Sequence, residues 1–205
     1  MKFSVTGEES GASDIPFILQ VNDQWLCPFG ITPNDKLTSH RAALDGASQN
    51  NATGIMKAGN YFEDAARQWF MDDFSADVSH PDQGYRNPHC NMVASLDGLF
   101  AEDWKYEGTV IPAGSIWECK IPTRPGKPTD SMERILQVQA QLDCCDAEYG
   151  VIAELARLDC VWRIAIVKRH EATILAIREA VNVFWQHMAD DIVRVQPHGC
   201  REPNG

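Results

Sequence analysis

Several features of membrane, zinc-binding and DNA-wrapping proteins are missing from this 205-residue sequence. It has no run of about 18 apolar residues, so no membrane-spanning helix is expected, and its first residues lack the apolar core of a secretory signal. None of the seven cysteines forms a C-x2-C pair, which excludes the usual structural zinc spacing. These absences predict a cytoplasmic protein with reduced thiols, no membrane association and no iron–sulfur cluster.

Positive charge is also scarce, because Lys and Arg total 18 against 29 Asp and Glu, a formal net charge of −11. Proteins that wrap DNA are normally basic, so composition alone does not favour nucleic acid as the partner. The acidic excess falls mainly in residues 1–35 and 71–103, whereas residues 36–70 and 104–137 carry a slight basic excess. The net charge therefore does not exclude a local binding site with a basic excess.

What is present is the composition of an ordinary globular protein, with 44% hydrophobic and 23% charged residues. The length corresponds to about one domain with a single core. Gly, Pro, Asn, Asp and Ser recur through the first 55 residues, as in loops. We therefore expect a loop-rich extension packed on the core over residues 1–55, one domain over 56–195 and a loose tail over 196–205.

Hydrophobic periodicity predicts helices that alternate with strands. Three segments have helical spacing, namely 59–74, 130–145 and 171–189. Strands are predicted over 15–21, 90–100 with a turn at Asp97-Gly98, 114–121, and a hairpin formed by 150–156 and 160–168. This order favours an α/β fold with a mixed central sheet and helices on both faces.

The strand SIWECKIP carries the first candidate chemical group. Side chains alternate between the two faces of a strand, so Glu118 and Lys120 share one face with Ile116. Burying a carboxylate and an ammonium is costly unless they are paired. The simpler interpretation is a salt bridge along an exposed strand face.

Asp97 ends a predicted strand, 21 residues before Glu118. An aspartate before glycine is common in turns. However, an Asp followed by Glu-x-Lys on a neighbouring strand is also the arrangement that binds Mg²⁺ for phosphodiester cleavage. Mg²⁺ takes oxygen ligands and activates water, and Lys120 is placed to hold that water.

Further candidates lie upstream of Asp97. Glu63 borders the apolar stripe of the first predicted helix, where it would serve either as a third carboxylate or as the i,i+4 partner of Arg67. His80 and His89 are near enough in sequence to reach the site, although loop histidines are more often structural or solvated.

Gln139 is a polar residue on the apolar side of the helix that follows the Glu-x-Lys strand. On a helical wheel it falls with Ile135, Leu136 and Leu142. The opposite side carries Arg134, Gln137 and Gln141. A buried amide needs hydrogen-bond partners, so Gln139 is either bonded to backbone or orients a catalytic carboxylate or water.

Taken in order, GNYFEDAARQWF, MVASLDGLF, GSIWECKIP and QVQAQL resemble the PD-(D/E)XK nuclease superfamily. The similarity is greatest to the YqaJ-type viral recombinases, which include the lambda phage exonuclease. The later segment from VIAELARLDCVWRI to NVFWQHM also resembles the hairpin and last helix of that family, so the resemblance covers residues 59–190. It implies a restriction-endonuclease-like α/β core.

The resemblance also implies roles for individual residues. Metal ligands would be Asp97, Glu118 and the backbone carbonyl of Cys119, with Glu63 in a supporting acidic role. Lys120 would be the catalytic lysine, and Gln139 would complete the site. Contacts to a 5′-terminal phosphate are implied for Ser95, Arg41 and Ser48.

The function implied is that of a Mg²⁺-dependent 5′→3′ exonuclease on double-stranded DNA, serving phage-type homologous recombination, with Mn²⁺ expected to substitute. Its partners would be double-stranded DNA ends, a single-strand annealing protein and further copies of the chain in a ring, inside a phage-infected or prophage-bearing bacterium. Two alternatives stay open. One is a structure-specific or CRISPR-adaptation-like endonuclease on the same fold, and the other is a non-catalytic DNA-end-binding accessory protein.

Overall fold

Runs of strands are separated by helices in this computed structural model, which describes residues 9–21, 24–25, 36, 38–40, 54–122, 128–156 and 160–195. The helices are α1 (Ile15–Ile18), α2 (Gly54–Phe74), α3 (Met132–Cys145) and α4 (Glu171–Val195). The first strands are β1 (Ser10–Gly11), β2 (Gln20–Val21), β3 (Gln24–Trp25), β4 (Val78–Ser79), β5 (Tyr85–Arg86), β6 (Met92–Ala94) and β7 (Gly98–Phe100). They are followed by β8 (Trp104–Tyr106), β9 (Thr109–Ile111), β10 (Ile116–Lys120), β11 (Tyr149–Ala156) and β12 (Val161–Lys168).

The main sheet is mixed and has the strand order β12-β11-β10-β7-β4. Strand β10 pairs in parallel with β11, and every other neighbouring pair in this sheet is antiparallel. In the β7–β10 pair, Trp117 lies opposite Gly98. Because antiparallel registers run in opposite directions, the next residues along, Asp97 and Glu118, lie side by side where β7 begins.

The two faces of β10 belong to different halves of the core, as its alternation predicts. Ile116 packs in the cluster that contains Leu136 and Leu142 of α3. Trp117 and Cys119 pack in the other cluster, which contains Phe70 of α2. The mixed sheet with helices on both faces confirms the predicted α/β architecture.

Two predicted strands differ from the structure. Residues 15–18 form a short helix, because a brief apolar run does not distinguish a strand from a buried helix and Pro16 suits a first helical turn. The segment 90–100 is divided into β6 and β7, which belong to different sheets. Gly98 permits the pairing of β7 with β4, since a Cβ added there would lie 2.5 Å from Val78 Cγ1.

The described part of the N-terminal third contributes to the core. Strand β1 pairs in parallel with β6, and Ile15 and Ile18 are buried beside Met92. The predicted tail over 196–205 lies outside the described residues. Among the helices described, none is long and apolar enough to cross a membrane.

Candidate active site

The β7–β10 register brings the predicted acidic residues together. The Cys119 backbone N–H donates to Asp97 Oδ2 at 2.9 Å, which fixes the Asp97 carboxylate against β10. Glu118 and Lys120 leave the same face of β10 and are hydrogen-bonded to each other. The exposed-strand interpretation is therefore excluded, because Glu118 is only 3% exposed.

Helix α3 provides two further donors to the Glu118 carboxylate. Gln137 Nε2 donates to Oε1 at 2.6 Å, and Gln141 Nε2 donates to Oε2 at 2.6 Å. Lys120 Nζ donates to Glu118 Oε1 and also to Gln137 Oε1, the latter at 3.1 Å. Because charge-assisted hydrogen bonds are strong, this network fixes both the carboxylate and the ammonium in position.

The negative charges at the site strongly influence each other. The pKa of Asp97 lies well above its ordinary value because the carboxyl is removed from solvent and lies near the charges of Glu118 and Glu63. Burial alone would lower the pKa of Lys120, but Glu118 and Asp97 outweigh it and raise that pKa. The Lys120 side chain is therefore an ammonium at neutral pH.

The Cys119 thiol does not take part as a thiolate. Burial and the neighbouring charge of Asp97 raise its pKa far above the ordinary thiol value. A protonated, buried thiol is neither a nucleophile nor a metal ligand. Any contribution of Cys119 to a metal site would therefore come from its backbone.

A cavity of about 120 Å³ opens beside Asp97. Its walls include Glu63 and Ser95, two of the candidate site residues, and residues of the loop between β4 and β5. Arg67, the alternative partner of Glu63, contacts Asp64 Oδ1 at 2.8 Å and the Asp97 carbonyl oxygen at 3.5 Å. The cavity lining is Glu63, His80, Pro81, Gln83, Gly84, Ser95, Leu96 and Asp97.

The prediction that Gln139 completes the site needs correction. Gln139 is buried as expected, but its Nε2 donates to the Lys168 carbonyl at 2.7 Å and its Oε1 accepts the His170 N–H at 3.0 Å. It therefore joins α3 to the β12–α4 connection and does not contact Glu118. Of the two interpretations of Gln139, the structure supports the one in which its amide is hydrogen-bonded to backbone.

The amides that contact Glu118 belong to Gln137 and Gln141, which the helical wheel places on the side opposite Gln139. Helix α3 is instead buried on two sides, and Gln141 is only 1% exposed. A third polar group on that side, Arg134, pairs with the buried Glu154 of β11. A row of uncharged amides beside a Glu-x-Lys strand was the signal that could have identified them.

The predicted phosphate contacts are only partly described. Ser95 lies in the cavity beside Asp97. Arg41 and Ser48 lie outside the described residues. The phosphate role of all three residues remains a prediction.

The donor set fits Mg²⁺, which takes oxygen ligands and uses only one or two carboxylates besides water and substrate. A carboxylate has about four acceptor positions, and three of those of Glu118 are occupied, leaving one on Oε2. A cation there would also offset the repulsion that raises the pKa of Asp97. Within the described part of the chain, no group of three or more His, Cys, Asp or Glu side chains is arranged to hold a metal by itself. Water and substrate would therefore have to supply further ligands, and the role of the Cys119 carbonyl stays a prediction.

Comparison with known proteins identifies similar structures, although no protein-family model and no curated protein matches this chain. LHK-Exo, an alkaline exonuclease from Laribacter hongkongensis, is 19% identical, with a TM-score of 0.70 over 94% of this chain and 93% of that chain. LHK-Exo in complex with dAMP is 18% identical, with a TM-score of 0.71 over 92% and 91%. A phage related exonuclease from Haemophilus somnus 129PT is 13% identical, with a TM-score of 0.65 over 91% and 96%. These similarities show that the chain shares the fold of these exonucleases, in agreement with the predicted α/β architecture.

Proposed function

We propose that this chain is a Mg²⁺-dependent deoxyribonuclease, specifically a 5′→3′ exonuclease acting on double-stranded DNA ends in phage-type recombination. The observation that carries the proposal is the ion pair of the buried Glu118 with the partly buried Lys120, held by two amides and adjacent to Asp97 at the β7–β10 junction. The exonuclease names of the structural neighbours, one of which was crystallised with dAMP, support the same activity. Such an enzyme would act in the cytoplasm of a phage-infected or prophage-bearing bacterium.

The residues have distinct roles in this reaction. Asp97 and Glu118 would hold Mg²⁺, which when bound supplies Lewis acidity at the scissile phosphate and is replaceable by Mn²⁺. Lys120 Nζ has three N–H donors, and two of them are used by Glu118 and Gln137. The third donates to the attacking water or to a non-bridging phosphate oxygen. Glu63 contributes further negative charge across the cavity.

Linear and circular duplexes distinguish the candidate functions. We expect the protein to degrade linear DNA with Mg²⁺ or Mn²⁺, to leave covalently closed circles intact and to be inactive with EDTA. Loss of a label from the 5′ end before the 3′ end would establish polarity. Cutting of circles would favour an endonuclease, and stable binding of ends without cleavage would favour an accessory protein.

Assembly is a separate part of the proposal. We propose a homo-oligomeric ring that encloses the duplex and works with a single-strand annealing protein. Light scattering of the purified protein tests the first point, and co-purification with an annealing protein from the same phage tests the second. A monomer that degrades DNA processively would contradict the ring.

Gln141→Leu and Gln139→Leu provide a matched pair that separates catalysis from packing. Gln141→Leu removes the donor to Glu118 Oε2, and we expect kcat to fall about 10- to 100-fold, as for other residues that orient metal ligands. Gln139→Leu leaves the contacts of Glu118 intact but removes those to Lys168 and His170, so it should lower the free energy of unfolding by about 1–3 kcal/mol. Steady-state rates and urea unfolding measure both effects. Equal losses of kcat in the two variants would refute the assignment of Gln141.

A further inference from the structure

The loop between β4 and β5 lines one side of the cavity beside Asp97. In the β4–β7 pair Ser79 lies opposite Leu99, so the following residue, His80, emerges beside Gly98 and the start of β7. His80 and Gln83 both line the cavity, together with Glu63, Ser95 and Asp97. Both are exposed, so their side chains are accessible to a ligand that enters from solvent.

The chemistry of this wall differs from that of the carboxylates. Glu63 and Asp97 repel a phosphate unless a cation is present, whereas an imidazole N–H, an amide N–H and the Ser95 hydroxyl can donate to phosphate oxygens. Of the residues that line the cavity, His80 has the basic side chain. It is therefore the residue best suited to receive negative charge brought by DNA.

His89 also lies in a loop before Asp97, but it does not line the cavity. Its backbone N–H donates to Asn87 Oδ1 at 2.8 Å, within the turn that precedes β6. It is exposed, like His80, but it is not among the residues that line the cavity. The two histidines thus form a natural test pair.

We propose that His80 contacts a phosphate oxygen of the DNA strand that enters this cavity, and so helps to determine the affinity for the DNA end. The inference rests on the proposed nuclease function. The oxygen can belong to the scissile phosphate or to the 5′-terminal phosphate, and the two sources require different substrates to separate them.

The test compares His80→Ala, His80→Gln and His89→Ala on linear duplexes that carry either 5′-phosphate or 5′-hydroxyl ends. We expect His80→Ala to raise KM about tenfold, the loss of one charge-assisted hydrogen bond, and His80→Gln to recover part of it because the amide still donates. A rise confined to 5′-phosphorylated DNA identifies the terminal phosphate, and a rise on both substrates identifies the scissile phosphate. His89→Ala should match the wild type.

Two results would overturn the assignment of His80. One is a KM for His80→Ala within twofold of the wild-type value on both substrates. The other is a lower kcat at unchanged KM accompanied by a lower melting temperature, which indicates a structural role. If the wild-type protein itself degrades neither substrate with Mg²⁺, the nuclease proposal fails independently of His80.

Discussion

Glu118→Gln is expected to lower the rate of Mg²⁺-dependent DNA hydrolysis about a thousandfold, and Lys120→Met by a similar factor. The first change removes the charge that would hold the cation and that accepts three hydrogen bonds. The second removes the ammonium that donates to the attacking water or the phosphate. Initial rates on end-labelled linear duplex at saturating Mg²⁺ measure both. Near-wild-type activity in either variant would refute the site.

The stability of the same variants gives an independent check of the geometry. Lys120→Met leaves a carboxylate that is 3% exposed without its cation, and we expect a loss of about 3–5 kcal/mol in the free energy of unfolding. The double variant Glu118→Gln, Lys120→Met replaces both charges and should recover much of that stability while staying inactive. Urea unfolding of the two single variants and the double variant completes the cycle. Additive losses would show that the two side chains do not interact.

The shared face of Glu118 and Lys120 could be predicted from the sequence because strand alternation depends only on local geometry. The same argument placed Trp117 and Cys119 on the opposite face, where they pack against α2. The contact between Asp97 and β10 could not be derived locally, because it depends on the register of two strands that are separated by a hairpin. The family resemblance suggested this contact, and the hydrogen bond to the Cys119 N–H provides it.

The helical wheel correctly placed Gln139 on a buried side but misplaced Gln141, because it assumes that a helix has one buried side. Helix α3 packs between other elements, so Gln141 and Asp143 are buried as well as Leu142. A buried polar side chain needs hydrogen-bond partners, but they need not belong to the catalytic site. The backbone groups of Lys168 and His170 are the partners of Gln139. Only the three-dimensional structure shows that Gln137 and Gln141 contact Glu118 and that Gln139 does not.

The acidic composition does not favour DNA as a partner, but the net charge of the chain does not describe the charges at the site. Most of the net charge of −11 lies in residues 1–35 and 71–103, whereas the hydrogen-bond network around Glu118 consists of one lysine and two amides. Glu63 and Asp97 line the cavity that a phosphate would enter. Under the proposed function, binding of DNA at this site would depend on a divalent cation, which would reverse the local charge.

The second large effect is expected on stability, from a buried ionic cluster around Asp143. The Asp143 side chain is fully buried at the end of α3 and accepts hydrogen bonds from Arg178 of α4, at 2.8 Å from Nε, and from Asn87. Arg169 lies 3.3 Å from the same carboxylate. Asn87 also accepts the N–H groups of the turn that leads into β6. The cluster thus connects two helices to the segment that continues to Asp97.

Arg178→Met is expected to lower the free energy of unfolding by about 3 kcal/mol at pH 7, because it leaves a buried carboxylate short of its main partner. Burial opposes ionisation of Asp143, but hydrogen bonds from Arg178 and Asn87 outweigh it and lower its pKa. A lowered pKa in the folded state means that this contribution is present above the ordinary carboxyl value and is lost as the pH falls through the folded value. The difference between wild type and Arg178→Met should therefore shrink in acid.

Urea unfolding between pH 3 and pH 7 measures this dependence, with Lys168→Met as the control. Lys168 pairs with Glu148 at 3.5 Å, and both side chains are more than half exposed, so that pair should contribute little to stability at any pH. A loss for Arg178→Met as small as that of the control would show that the cluster does not stabilise the fold. A loss that stays constant down to pH 3 would show that Asp143 is not the group through which Arg178 acts.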